Sequence, residues 1–250
     1  MEKKTEIVEN FKKAITSTVK SIIGDQDIEV TFGNEISKKN TKTINLPSLK
    51  NINSIDDYIK TRALADSEAL KFRCSDLNVY NSFEPQGNMS KLLYAVAEKV
   101  RYENIGSSYF KGIKDNLNYL YKVKDTAKIE YKNSDYEFLD AFEYYLRSNI
   151  LKSYKSKETE NRFKKYKKNI NSKLKDKLEL LNSSLLDQKK FNSLVSKIIS
   201  QFKIDEIPQS EQNEEKEKNN ENLENKEKNE NNESSKDGEN NEMSIDANLP

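Results

Sequence analysis

"KLLYAVAEKVRYENIGSSYF", residues 91–110, sets Leu92, Leu93, Val96, Val100 and Ile105 at helical spacing, yet carries Glu98, Arg101 and Glu103 within about two helical turns. In a helix, Tyr94, Glu98, Arg101 and Ile105 share one stripe beside Leu93, Ala97 and Val100, so Glu98 and Arg101 touch the edge of a buried face. Charges in such a place need partners, because a single unpaired buried charge is not tolerated. The earlier segment "TRALADSEALKFR", residues 61–73, offers Arg62, Asp66 and Arg73 on one stripe. An Arg placed N-terminal to an Asp at i, i+4 is the poorer orientation for stabilising its own helix. The spacing therefore predicts cross-helix pairs, Arg62 or Arg73 with Glu98 and Asp66 with Arg101. With Asp76 and Glu103, these residues form one candidate cluster, read either as an ion-pair network holding two helices in register or as a docking surface for a partner chain.

Working outward, Thr5 is placed to cap a first helix through Ile7, Phe11, Ile15, Val19 and Ile22 or Ile23, ended by Gly24. "DIEVTFG" and "TKTINLP" alternate with period two and predict a small two-stranded element near residues 28–46. Ser54 with Asp57 predicts a capping box that opens a helix to about Arg73. "CSDLNVYNSFEPQGN", residues 74–88, reads as a loop, and Gly106 as the interruption between a helix over 89–105 and another from Ser108 to about Val123. Ser134 with Glu137 predicts a second capping box, opening a helix to about Leu151. A long helix or helical hairpin arm is expected from about Thr159 to Leu186, and a last helix capped by Asp187. The fold class is mainly α: a multi-helix domain over residues 1–208 with a small β element.

Charge is unevenly distributed. The chain holds 43 Lys+Arg and 42 Asp+Glu, but residues 209–250 carry five lysines against thirteen carboxylates, leaving about +9 on residues 1–208 by formal count. That Asn- and Glu-rich tail has almost no apolar residues to offset the entropy of ordering it, and a disordered acidic tail is expected. No continuous apolar run reaches the length of a bilayer span or a signal peptide, so a soluble cytoplasmic protein without membrane contact is expected. One cysteine, Cys74, permits no internal disulfide, and with no histidine a zinc site is not expected.

Reactive chemistry leaves few traces. There is no G-x-x-x-x-G-K-[ST] loop, no G-x-G-x-x-G run and no G-x-S-x-G elbow. Without histidine, a Ser/His or Cys/His nucleophile pair is impossible. Residues 152–177 hold eleven Lys or Arg against three acids, with Tyr154, Phe163 and Tyr166 interleaved, which keeps a basic nucleic-acid-binding protein as one alternative. Helical amphipathicity accounts for the same spacing, with Phe163, Tyr166 and Ile170 inward and the lysines as the solvated back. Nucleic acid is therefore not the expected partner. A stand-alone scaffold is the other alternative.

Several strings, in order, resemble the N-terminal region of the cobaltochelatase subunit CobT family: "EVTFG" at 29–33, "LP" at 46–47, "TRALADSEALKFRCSDLNVYNSFEPQG" at 61–87, "AVAEKVRYENIGSSYFKGIKDNL" at 95–117 and "LLDQKKF" at 185–191. The strongest piece is E-x-x-R-x-E-x-I-G, carried by Glu98, Arg101, Glu103, Ile105 and Gly106. The acidic stretch also agrees with the family, whose members place such a linker before a von Willebrand factor A-type domain; no D-x-S-x-S motif occurs in these residues, and a fragment of a longer protein is one expectation. The family usually carries histidines in the segment matching "RCSDLNVY", where this chain has Cys74, Ser75 and Tyr80. The resemblance implies a non-ATPase subunit of an aerobic, ATP-dependent cobalt chelatase. Its implied partners are an AAA+ ATPase subunit, in an oligomeric ring assembly, and a large subunit that inserts Co²⁺ into hydrogenobyrinic acid a,c-diamide. The complex would use ATP and Mg²⁺; this chain is expected to bind no cofactor and to supply no catalytic residue.

Overall fold

A computed structural model describes residues 2–33, 42–49, 54–127, 129–131, 133–153 and 155–204. The acidic segment 209–250, expected to be disordered, lies outside the described residues. Helix α1 (Glu2–Ile23) begins before Thr5 and buries Ile15, Val19 and Ile22, while Ile7 at its other end is half exposed. Gly24 closes it at φ +79°, with its N–H donating to the Lys20 carbonyl at 2.9 Å. Strands β1 (Glu29–Phe32) and β2 (Thr43–Leu46) form the two-stranded element, paired in parallel with Glu29 opposite Thr43 and Phe32 opposite Leu46. Two strands are marginal alone. Buried Ile28, Phe32, Ile44 and Leu46 fasten them to the helices.

Helix α2 (Ile55–Cys74) opens on the expected capping box: Asp57 N–H donates to Ser54 Oγ at 3.2 Å and Ser54 N–H to Asp57 Oδ2 at 3.0 Å. At its other end Arg73 Nη1 donates to the Ile22 carbonyl, closing the last turn of α1. The segment expected as a loop contains a short helix, α3 (Leu77–Phe83), capped by Asp76, whose Oδ1 accepts from Asn78 N–H at 2.8 Å. None of its residues is buried, so no apolar periodicity betrays it.

Helix α4 (Asn88–Tyr109) runs straight through Gly106, where a break was expected. The glycine serves a close crossing with α2: a Cβ there would lie 2.3, 2.4 and 2.8 Å from three side-chain carbons of Leu70, which is fully buried. The break comes at Phe110, whose extended backbone separates α4 from α5 (Lys111–Thr126). Helix α6 (Ser134–Leu146) is capped by Asn133, at least as good a cap as serine, so the expected Ser134 cap is displaced by one residue. Glu137 is thereby released from capping, and accepts from Lys165 Nζ at 2.7 Å and Tyr166 Oη at 3.1 Å. One π turn, Arg147–Leu151, extends α6 and ends at Lys152 with φ +53°.

The long arm expected over 159–186 is three helices, α7 (Lys157–Arg162), α8 (Lys164–Leu174) and α9 (Leu178–Ser183), broken at Phe163 and by a 3₁₀ turn at Lys175–Lys177. A straight helix drifts off a half-heptad stripe, and each tight turn resets the phase so that Phe163, Ile170, Leu174 and Leu181 all stay buried. Asp187 caps α10 (Gln188–Ile199) as expected, accepting from Lys190 N–H at 3.0 Å. Residues Met1–Lys203 form one compact unit, with α4 at its centre against α2, α5, α6 and α10. The fold is mainly α. Among the described residues, no helix is long and apolar enough to cross a membrane.

The α2/α4 crossing gives a direct prediction. Alanine is the better helix former by about 1 kcal/mol, yet Gly106→Ala should lower stability by about 1–3 kcal/mol because the new methyl overpacks against Leu70. In a Leu70→Ala background that cost should largely vanish, as read from urea-denaturation midpoints of the four proteins in the cycle.

Candidate functional site

Arg101 is 1 % exposed and Glu98 4 %. Being three residues apart on α4, they meet in a bidentate pair: Arg101 Nε donates to Glu98 Oε2 at 2.9 Å and Nη2 to Glu98 Oε1 at 2.7 Å. The guanidinium has donors left, and it spends them on peptide carbonyls, Cys74 O at 2.5 Å and Leu185 O at 3.0 Å. Glu98 Oε1 also accepts from Ser75 Oγ at 2.6 Å and Gln188 Nε2 at 3.2 Å. Gln188 and the Asp76 backbone exchange two more bonds, Asp76 N–H to Gln188 Oε1 at 2.7 Å and Gln188 Nε2 to Asp76 O at 3.1 Å. One buried ion pair thus fixes the corner between α2 and α3 and the turn between α9 and α10 onto α4. The free Cys74 thiol sits beside this hub, and burial pushes its pKa up against the pull of Arg101. It is not an activated thiolate.

Glu103, one turn on, has no exposed surface and is held by hydroxyls: Ser67 Oγ donates at 2.6 Å and the Tyr121 hydroxyl donates to the other oxygen. Burial raises its pKa, more than Lys99 and the two hydroxyls lower it. Tyr121 leads to a second set of charges, since the Arg147 guanidinium lies 4.0 Å from its ring centroid. Arg147 Nη2 donates to Asp125 Oδ1 at 2.8 Å, and Lys124 Nζ reaches Glu143 at 2.5 Å and Asp140 at 2.9 Å. Burial raises the Glu143 pKa, but the combined attraction of Lys124, Lys99 and Arg147 outweighs it and holds that carboxyl far below its usual range.

The expected cross-helix ion pairs do not form. Arg62 Nε pairs within its own helix, with Asp66 Oδ1 at 2.8 Å, and the fully buried Asp66 takes its second bond from Asn116 Nδ2 on α5 at 2.8 Å. Arg73 is spent on α1. Helices α2 and α4 are instead tied by neutral donors and carbonyls, at Ser67–Glu103, Ser75–Glu98 and Arg101–Cys74 O. Sequence reasoning missed Tyr121, Lys124, Asp125, Glu143 and Arg147. The one available signal was Glu143 and Arg147 four residues apart in "FEYYLR", residues 142–147, whose other members are aromatic or aliphatic. Within the 152–177 stretch, Lys164, Lys167, Lys168 and Lys175 line an open concave surface along α8 together with Asp176, while Phe163 and Tyr166 pack against Tyr144 and Phe138. Among the described residues no group of three or more His, Cys, Asp or Glu side chains is placed to hold a metal ion.

Removing Arg101 leaves Glu98 buried and unpaired, so Arg101→Ala should cost about 3–5 kcal/mol. Arg101→Lys should recover little, because an ammonium cannot span the carboxylate and two carbonyls at once. Chemical denaturation of the three proteins checks both statements. Glu143 has a folded pKa below its ordinary value of 4.5, so its contribution is present above that value and lost as pH falls through the folded one. Glu143→Gln should therefore melt well below the parent at neutral pH, with the gap between the two melting curves narrowing steadily in acid below about pH 4.5.

The segments that meet at the Arg101 hub come from three of the strings on which the resemblance rests, "RCSD" at 73–76, "EKVR" at 98–101 and "LLDQ" at 185–188. No solved structure matches the chain. A family model described as Cobalamin biosynthesis protein CobT matches residues 5–248, almost the whole sequence and the acidic stretch with it. The chain belongs to the CobT family.

Proposed function

We propose that the chain is the non-ATPase subunit of an ATP-dependent aerobic cobaltochelatase, acting as the assembly and coupling partner of an AAA+ subunit. The insertion of Co²⁺ into hydrogenobyrinic acid a,c-diamide then takes place on a large third subunit, with cobalt as substrate and ATP and Mg²⁺ supplied to the complex through the motor. The observation that carries this reading is the family match over residues 5–248. The hub supports the coupling role. Its hydrogen bonds tie α2, α3, α4 and the α9–α10 turn together, the kind of cross-linked joint that suits transmitting force between subunits. Of the candidate residues, Asp66, Glu98, Arg101 and Glu103 are buried and act through shape, whereas Arg62, Arg73 and Asp76 reach the surface, where a partner can meet them. A cytoplasmic setting agrees with the biosynthetic role of the family.

A second reading, polyanion binding along α8, draws on the exposed Lys164, Lys167, Lys168 and Lys175. It is weakened by the packing of Phe163 and Tyr166 against Tyr144 and Phe138, which leaves that surface no aromatic platform for stacking bases among the described residues; Tyr154 lies outside them.

Co-purification of the full chain with the AAA+ subunit from the same genome, with and without ATP, tests the proposal. Association that depends on nucleotide is expected, and Arg101→Ala should abolish it. No association in either condition would overturn the coupling role. Binding of duplex or single-stranded DNA with affinity falling steeply with salt would favour the second reading instead.

A further inference from the structure

The Asp125–Arg147 pair is half made. Arg147 is 1 % exposed and donates from Nη2 to Asp125 Oδ1 at 2.8 Å, but its Nη1 and Nε, and the second carboxylate oxygen Asp125 Oδ2, are buried without a hydrogen-bond partner in the protein. Glu143 Oε1 stands 3.9 Å from Nε, near enough to attract and too far to accept. Orphaned charged donors and acceptors of this kind cost more than neutral ones, so a native fold supplies them with partners.

Both side chains line a small cavity, walled by Thr159, Phe163 and Tyr131, in which about 10 Å³ is open to the centre of a water-sized sphere. That is room for about one water molecule. A cation placed there would face Arg147, Lys124 and Arg162, and a simple anion, though drawn by those three, would lie against Asp125 and Asp140 and could not donate to the unpartnered Asp125 Oδ2. A phosphate or carboxylate group exceeds the volume. Of the three orphaned atoms, Arg147 Nη1 and Asp125 Oδ2 are satisfied together only by a neutral species that both donates and accepts.

We propose that this cavity is a structural water site, in which one water donates to Asp125 Oδ2 and accepts from Arg147 Nη1. The bridge completes a junction of three elements. Asp125 ends α5, Arg147 opens the π turn, and Thr159 of α7 donates its hydroxyl to the Asp125 carbonyl at 2.9 Å. Tyr144 adds a bond from α6 to the Ser156 carbonyl, the cap of α7, at 3.2 Å. The water gives the buried Asp125 carboxyl a second hydrogen bond, which favours its charged form against the upward push of burial on its pKa. It also explains how the chain holds a single-point ion pair where a fork-to-fork one is the stronger arrangement.

A high-resolution crystal structure of the full chain tests the site. A single water peak within about 2.6–3.2 Å of both Arg147 Nη1 and Asp125 Oδ2 is expected. An empty cavity, or a carboxylate turned to meet Arg147 through both oxygens, would overturn it. If crystals are not obtained, Overhauser contacts between water and the Arg147 side-chain N–H protons in solution read the same site. Contacts with the sign of a long-lived bound water are expected, and their absence in a folded sample would overturn the proposal.

Discussion

Arg101 and Glu98 are the constraint around which the rest of the chain is arranged. Each lies out of water, where an isolated charge would be ruinous, and each is tolerable only because the other answers it at two points. The consequence is geometric. A planar guanidinium held at its Nε edge presents its remaining donors in fixed directions, and those directions select the carbonyls of Cys74 and Leu185, residues 27 and 84 positions away. Apolar packing alone would let α3 and the α9–α10 turn slide over α4; the fork leaves them one register.

The same logic recurs on the far side of α4. Glu103 and Tyr121 share a bond, Tyr121 lies under Arg147, and Arg147 reaches Asp125, so polar contacts run from the middle of α2 to the start of α7. Two carboxylates along this chain of contacts are tuned in opposite directions. Glu143, ringed by Lys124, Lys99 and Arg147, is held far below its usual range, while Glu103, hydrogen-bonded by two hydroxyls and attracted by Lys99 alone among the cations, is raised by its burial. Buried polar groups of this density are a costly way to gain stability and a good way to fix which face of each helix meets which neighbour. For the coupling role proposed above, a defined shape is worth that cost.

Much of this was legible in the sequence, and the exceptions have physical causes. Ser54 with Asp57, and Asp187 by itself, signal their helix starts correctly, because a cap is a local interaction. The burial of Glu98 and Arg101 could be read from their place beside Leu93, Ala97 and Val100. Their pairing could not, since i, i+3 and cross-helix partners satisfy the same spacing until the elements are packed. Gly106 looked like a break because a glycine without context is one; only Leu70, 36 residues earlier and from another helix, shows it to be a contact point. Helix α3 stayed hidden because it buries nothing, and the division of 159–186 because phase resets leave the average apolar spacing intact. The Arg147 cluster was hidden for a further reason: its members come from α5, α6 and the π turn that extends α6, and no short window contains more of them than Glu143 with Arg147.

If the Arg101–Glu98 fork organises its surroundings, loosening it should free a particular part of the molecule. Hydrogen–deuterium exchange of Arg101→Met against the parent chain, under conditions where both remain folded, addresses that directly. The account predicts a large loss of protection confined to residues 74–83 and 184–192, with α1 and α6 unchanged. A uniform loss across all helices, or none at either of those segments, would contradict it.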